Sequence, residues 1–182
     1  YVVRERQGLG GGCINSAFLI SDGGRQFFVK LNGVDKLAMF EAEYDGLLEL
    51  AASKTIRLPL PLTTGVADGP AYIVMEALSL GGSGSQAQLG RELAALHRQR
   101  RDKCGWGRDN TIGSTPQVNG WNDSWIDFWR EQRLGPQLEM ARGNGASRSL
   151  LQQGENLLQA FPALFDGYTA QPSLLHGDLW SG

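Results

Sequence analysis

Between residues 25 and 32 the side chains alternate. Phe27, Val29 and Leu31 fall on one face and Phe28 and Lys30 on the other, the period of two that predicts a strand. Runs at 1–6 and 16–21 predict two more strands around a glycine-rich turn, and Asp22-Gly23-Gly24 predicts a hairpin between the second and third. From 37 to 52 the period changes. Leu37, Phe40, Tyr44, Leu47, Leu48 and Ala51 line up at helical spacing and predict an amphipathic helix. Pro59 and Pro61 bar a further helix and fit an extended approach to a buried-type strand at 71–76, reached through Asp68-Gly69-Pro70. Residues 80–85, LGGSGS, restrict the backbone little and predict a linker, so we place a domain boundary near residue 80. The pattern beyond it is helical at 86–98, 123–140 and 147–161. The stretch 102–120 is predicted to be a long loop, a length usually functional inside a compact domain.

Composition narrows the classes. The 182 residues are 41% hydrophobic, enough for one or two cores, and the formal net charge of −2 gives no electrostatic footprint for nucleic acid. The basic run Arg98, Arg100, Arg101 and Lys103 reads as a solvated helix end. No apolar run approaches the roughly 18 residues of a membrane span. Cys13 and Cys104 form neither a disulfide framework nor a metal motif, and with no signal-peptide pattern the expected compartment is the cytoplasm.

Three constellations carry chemistry. Gly8 to Asn15 places Gly10, Gly11 and Gly12 between two strands, where backbone N–H groups can approach phosphate oxygens without obstruction. No helix follows, which argues against dinucleotide-binding and P-loop arrangements and favours a strand–loop–strand cover over phosphates. Lys30 follows on a strand, and a glutamate on the next helix can fix such a lysine by an ion pair. Glu41 and Glu43 both flank the apolar stripe, so periodicity leaves both open. Finally, Leu174-Leu175 delivers His176-Gly177-Asp178 into a polar segment. The spacing is that of a phosphotransferase catalytic loop, in which the aspartate orients a hydroxyl and accepts its proton. The asparagine of that loop would stand at the position after Gly182.

These residues together resemble the fructosamine kinase (ketosamine kinase) family, related to aminoglycoside and choline kinases. The resemblance spans essentially the whole chain through GGGCIN at 10–15, FFVKLN at 27–32, MFEAEYDGL at 39–47, NTIGSTPQVNGW at 110–121, WIDFWREQRLGPQL at 125–138 and LLHGDLWSG at 174–182. It implies an α+β, protein-kinase-like fold. An N-terminal antiparallel-sheet lobe over 1–79 would bind nucleotide. A mostly helical, truncated C-terminal lobe over 80–182 would end in the catalytic loop.

It also implies ATP and Mg²⁺ as cofactors and a ketosamine, a small-molecule glycation product, as substrate. The chain would be a monomer or weak dimer without nucleic-acid or membrane partners. Asp178 would be the catalytic base. Gly10, Gly11, Gly12, Cys13 and Lys30 would hold phosphates, with Glu43 as the lysine's partner. Glu76, Ala77 and Leu78 would form the adenine hinge, and His176 and Trp180 would lie near the sugar. The metal-binding Asn and Asp would fall after Gly182, so the 182 residues alone are expected to be nearly inactive.

Cys13 stands where protein kinases have a glycine; it reads either as a small residue that fits the turn or as a redox-sensitive thiol in an anion-binding turn, and the sequence leaves both open. Trp121, Trp125, Phe128 and Trp129 recur at helical spacing, which predicts core packing for most of them. Trp121, at the loop's end, is the candidate sugar platform. The alternatives are an aminoglycoside- or choline-type kinase and a nucleotide-binding pseudokinase.

Overall fold

The computed structural model describes residues 1–10, 14–79, 81 and 84–179. Two compact units emerge, one of residues 1–99 with 175–182, the other of residues 100–174.

The first unit is built on the alternating segments. Strands β1 (Glu5–Leu9), β2 (Ser16–Ser21), β3 (Gln26–Asn32), β4 (Pro61–Val66) and β5 (Ala71–Glu76) form one antiparallel sheet in the order β1-β2-β3-β5-β4. The first strand runs later than the 1–6 expected, because its ladder to β2 extends to Leu9 opposite Ala17. The β2–β3 turn is tied by Asp22, whose Oδ1 accepts the N–H groups of Arg25 (2.7 Å) and Gly24 (3.0 Å), and Gly23 adopts φ +94°.

Helix α1 (Leu37–Ala52) covers one face of this sheet. Phe40, Ala71, Ile73 and Met75 are its buried centre, flanked by Phe28, Leu37, Met39, Tyr44 and Leu47. Phe40 and Ile73 are fully buried, so truncating Phe40 to alanine would cost about 3–5 kcal/mol. Leu48, counted in the sequence stripe, faces solvent instead. Helix α2 (Gln86–Leu96) starts at Ser85, whose side chain accepts the Gln88 N–H.

The second unit departs more from expectation. The stretch 102–120 is not a bare loop, because β6 (Asn110–Ile112) and β7 (Thr115–Gln117) pair there as a hairpin. The single helix expected at 123–140 is three pieces. They are α3 (Trp125–Trp129), a π-turn (Arg130–Leu134) and α4 (Gly135–Gly143). Within the π-turn the Gly135 N–H reaches Arg130 O, five residues back. A Cβ on Gly135 would sit 2.7 Å from that oxygen, so a side chain is excluded there.

Helix α5 (Arg148–Ala160) continues into a 3₁₀ turn (Phe161–Phe165). A Cβ on Gly154 would lie 2.2 Å from Leu138 Cδ2, which is how closely α4 and α5 pack. Trp125 and Trp129 pack on Phe161, Trp125 meets Phe165 edge-on at 4.6 Å, and Phe128 is buried, so the core reading holds for Phe128 and the half-buried Trp125, while Trp129 keeps 40% of its surface exposed. Trp121 precedes the N-cap Ser124 and is not part of that stripe.

Candidate active site

The sheet register sorts the chemistry by face. Phe28 and Lys30 lie opposite Met75 and Ile73, so Lys30 projects on the α1 side together with Ala17 and Leu9 from the paired strands. There its Nζ meets Glu43 Oε1 at 2.5 Å, both side chains about a quarter exposed. Helix geometry explains the choice between the two glutamates. Glu43 sits one residue before Tyr44 and three after Phe40, on the edge of the buried stripe nearest β3. Glu41 is engaged by other groups. A shallow groove of about 500 Å³ lined by Arg6, Phe18 and Leu31 lies against the opposite face, so it is separate from the lysine site.

The glycine-rich segment is described up to Gly10 and again from Ile14. Gly11, Gly12 and Cys13 lie outside the described residues. Its far end is anchored by Asn32, at the end of β3. Asn32 Nδ2 donates to Asn15 Oδ1 (2.7 Å) and Ile14 O (3.1 Å), and its Oδ1 accepts the Gly33 N–H (2.7 Å). Sequence reasoning gave Asn32 no role. Two motif asparagines, 17 positions apart on a hairpin, were the available signal.

At the proposed hinge, the Glu76 N–H donates to Leu60 O at 2.9 Å. The Glu76 carboxylate pairs with the Arg57 guanidinium and accepts the Leu60 N–H, and the Arg57 hydrogen bond holds its pKa below the ordinary glutamate value. Ala77 and Leu78 follow β5 half-buried and outside the ladder.

The His176-Gly177-Asp178 segment is a compact turn. Gly177 adopts φ +87°, and this left-handed conformation folds the Asp178 N–H onto His176 Nδ1 at 3.3 Å. Both side chains are exposed. Trp180 lies outside the described residues. Within the second unit, Arg100 forms an isolated antiparallel bridge with Ser173, and the Arg101 N–H donates to Pro172 O (3.2 Å).

Trp121 belongs to the second unit and is 45% exposed. The backbone around it is pinned by groups that sequence reasoning missed. Buried Asn119 uses every polar atom of its side chain. Its Nδ2 donates to Arg108 O (3.1 Å) and Asn110 Oδ1 (2.8 Å), and its Oδ1 accepts from Arg133 Nη2 (2.6 Å). Its N–H bonds Asp109 Oδ1 and its carbonyl accepts the Trp106 N–H. Burial lowers the Arg133 pKa, and the guanidinium lies 4.4 Å over the Phe128 ring. Among the described residues no cluster of three or more His, Cys, Asp or Glu could hold a metal ion.

Comparison with known proteins decides the family. The fructosamine kinase family model matches residues 1–182. The chain belongs to the fructosamine kinase family. The protein-ribulosamine 3-kinase, chloroplastic, of Arabidopsis thaliana is 46% identical over 178 residues, covering 96% of this chain and 55% of that protein. The crystal structure of a putative fructosamine-3-kinase from Haemophilus somnus superposes with a TM-score of 0.85 at 31% identity, over 100% of this chain and 61% of that one. An aminoglycoside phosphotransferase, APH(4)-Ia, matches in fold at 15% identity and a TM-score of 0.54, over 93% of this chain and 58% of that one.

The fold is therefore protein-kinase-like, with an antiparallel-sheet unit followed by helices. This family member spans about 55–61% of the length of the relatives it matches. Among its described residues no helix is long and apolar enough to cross a membrane.

Proposed function

We propose that the full-length protein is an ATP-dependent kinase that phosphorylates a sugar hydroxyl of ketosamines, either fructosamines or ribulosamines. The observation that carries this reading is the Lys30–Glu43 pair. It holds a strand ammonium in one position on the sheet face flanked by the glycine-rich segment, as transfer of a phosphoryl group requires. In the reaction the sugar oxygen bonds to the γ-phosphorus of ATP. Its proton passes to an Asp178 carboxylate oxygen, and the bond from the γ-phosphorus to the bridging oxygen breaks, releasing ADP. Lys30 offsets phosphate charge while the N–H groups of Gly10, Gly11, Gly12 and Cys13 enclose the phosphates.

Adenine would meet the backbone of Ala77 and Leu78, since the Glu76 N–H is already donated to Leu60. We assign residues 1–79 to the nucleotide lobe and 80–182 to the substrate lobe, with His176, Trp180 and Trp121 on the substrate side.

Magnesium supplies charge neutralisation in phosphoryl transfer. Asp178 alone does not make a magnesium site, and the described residues hold no metal-binding cluster, so no step is routed through the ion. The buried, free thiol of Cys104 suits a reducing compartment, which we take to be the cytoplasm; we take the protein to be a monomer or weak dimer.

The test is ADP release by the full-length gene product with a fructosamine or ribulosamine. We expect ketosamine-dependent release that falls at least about 100-fold in Asp178→Asn. ATP binding without ketosamine-dependent release would overturn the reading.

A further inference from the structure

Two opposed residues of a hydrogen-bonded antiparallel pair exchange bonds in both directions, each N–H to the other's carbonyl. Glu76 and Leu60 exchange only one. They stand one step past the Pro61–Met75 pair, at the end of β5 and beside the edge strand β4. The Glu76 N–H donates to Leu60 O at 2.9 Å, but the Leu60 N–H does not return to Glu76 O. It goes to the Glu76 side chain instead, with Oε2 at 3.4 Å. The carboxylate thus takes up the donor that belongs to its own carbonyl in a regular ladder. A strand residue's N–H and C=O point to the same neighbour, so Glu76 O is not committed to β3 either. It is left over where β5 gives way to Ala77 and Leu78.

Arg57 sets the carboxylate in that position. Its Nη2 donates to Glu76 Oε1, and its Nη1 donates to Leu58 O at 2.7 Å. One prong of the guanidinium is therefore fixed to a stiff stretch of backbone, because the Leu58 side chain is buried and Pro59 follows. The other prong leaves Oε2 for Leu60. Without Arg57 the Glu76 side chain, about a third exposed, turns to water, and the Leu60 N–H closes on Glu76 O as an ordinary ladder bond. A strand-end carbonyl whose ladder donor is drawn off is an acceptor for a ligand N–H. The 6-amino group of adenine is such a donor.

We propose that Arg57, acting through the Glu76 carboxylate, is a positioning residue that keeps the Glu76 carbonyl open to the 6-amino group of adenine and so sets a preference for adenine nucleotides. The inference rests on the ATP-dependent kinase reading above. Arg57 itself touches no part of the nucleotide.

The experiment uses the full-length gene product and two matched nucleotides, ATP and purine riboside 5′-triphosphate, which differ only in the 6-amino group. Their binding is measured by calorimetry without ketosamine. The parent should bind ATP about three- to tenfold more tightly, the scale of one hydrogen bond between neutral groups. Arg57→Met should bring the ratio close to one by weakening ATP alone. Arg57→Lys, which keeps a donor for Oε1 but not the fork, should restore part of it. Glu76→Ala should also remove the preference, and the double variant should be no worse than either single one, because each removes the same arrangement. The Tm of Arg57→Met should stay near that of the parent, since an exposed ion pair contributes little stability. A merely structural role for Arg57 would weaken both nucleotides equally and keep their ratio, which overturns the proposal. Equal binding of both nucleotides by the parent also overturns it, while leaving the kinase reading intact. Binding of neither nucleotide overturns both. An Arg57-dependent ATP preference without ketosamine-dependent ADP release upholds the inference and overturns only the ketosamine reading.

Discussion

Replacing Asn119 by alanine tests whether its hydrogen-bond network stabilises the second unit. The side chain is buried and makes three hydrogen bonds, two to neutral acceptors and one from a guanidinium. A neutral bond contributes about 1 kcal/mol net and one to a charged group about 2 kcal/mol, so the ceiling is about 4 kcal/mol. Arg133 keeps its contacts to Val118 O (2.6 Å) and Gln132 O (2.8 Å), and water can reach its exposed part, which lowers the expectation to about 2–3 kcal/mol.

For a chain of this size that is a fall in Tm of about 4–12 °C. Tryptophan fluorescence is the appropriate assay, because Trp106, Trp121, Trp125 and Trp129 all lie in the 100–174 unit, so urea titrations report its unfolding. Asn119→Asp keeps an acceptor for Arg133 but removes both donors and brings a charge beside Asp109. It should be destabilised as well, by less than the alanine variant if the Arg133 bond dominates. A loss below about 0.5 kcal/mol in Asn119→Ala, the range of ordinary surface substitutions, would refute the reasoning.

Gly105→Ala forces an L side chain into φ +118° against three backbone atoms, and should cost at least about 2–3 kcal/mol in the same titration. A parent-like midpoint would show that the segment relaxes freely. In the full-length protein, Lys30→Met should lower ketosamine-dependent ADP release at least about 100-fold. Glu43→Gln, which keeps a hydrogen-bonding partner, should lower it less. The opposite order would remove Lys30 from the phosphate site.

The N–H of Arg25, then that of Gly24, holds the Asp22 pKa down to about 2, below its ordinary value of about 4. A depressed carboxylate contributes stability that is present above the unfolded value and lost as pH falls through the folded one. The stability gap between parent and Asp22→Asn should therefore be full at neutral pH and close between about pH 4 and 2. A gap unchanged down to pH 2 would contradict this.

Much of the first unit was legible because its signals are local. Alternation in 25–32, the Asp22-Gly23-Gly24 turn and the 37–47 stripe each depend on residues a few positions apart, and the structure keeps all three. The order of glycine segment, strand lysine, helix glutamate and His-Gly-Asp turn was likewise readable, since it needs only sequence. What needed the tertiary structure was which groups meet. Glu41 and Glu43 flank the same stripe, and only the packing of α1 on the sheet puts Glu43 on Lys30. The start of β1 followed the ladder to β2 rather than its own side chains.

In the second unit, the helical period of 123–140 gave no sign of the π-turn, whose wider turn redirects Gln132 and Arg133. Those two side chains, with Asn119, turned a stretch that reads as loop into a braced hairpin and set Trp121 apart from the aromatic core. Local periodicity determined the elements. Hydrogen bonds between residues 9 to 17 positions apart, which no window of sequence weighs, decided how the glycine segment and the Trp121 loop are held.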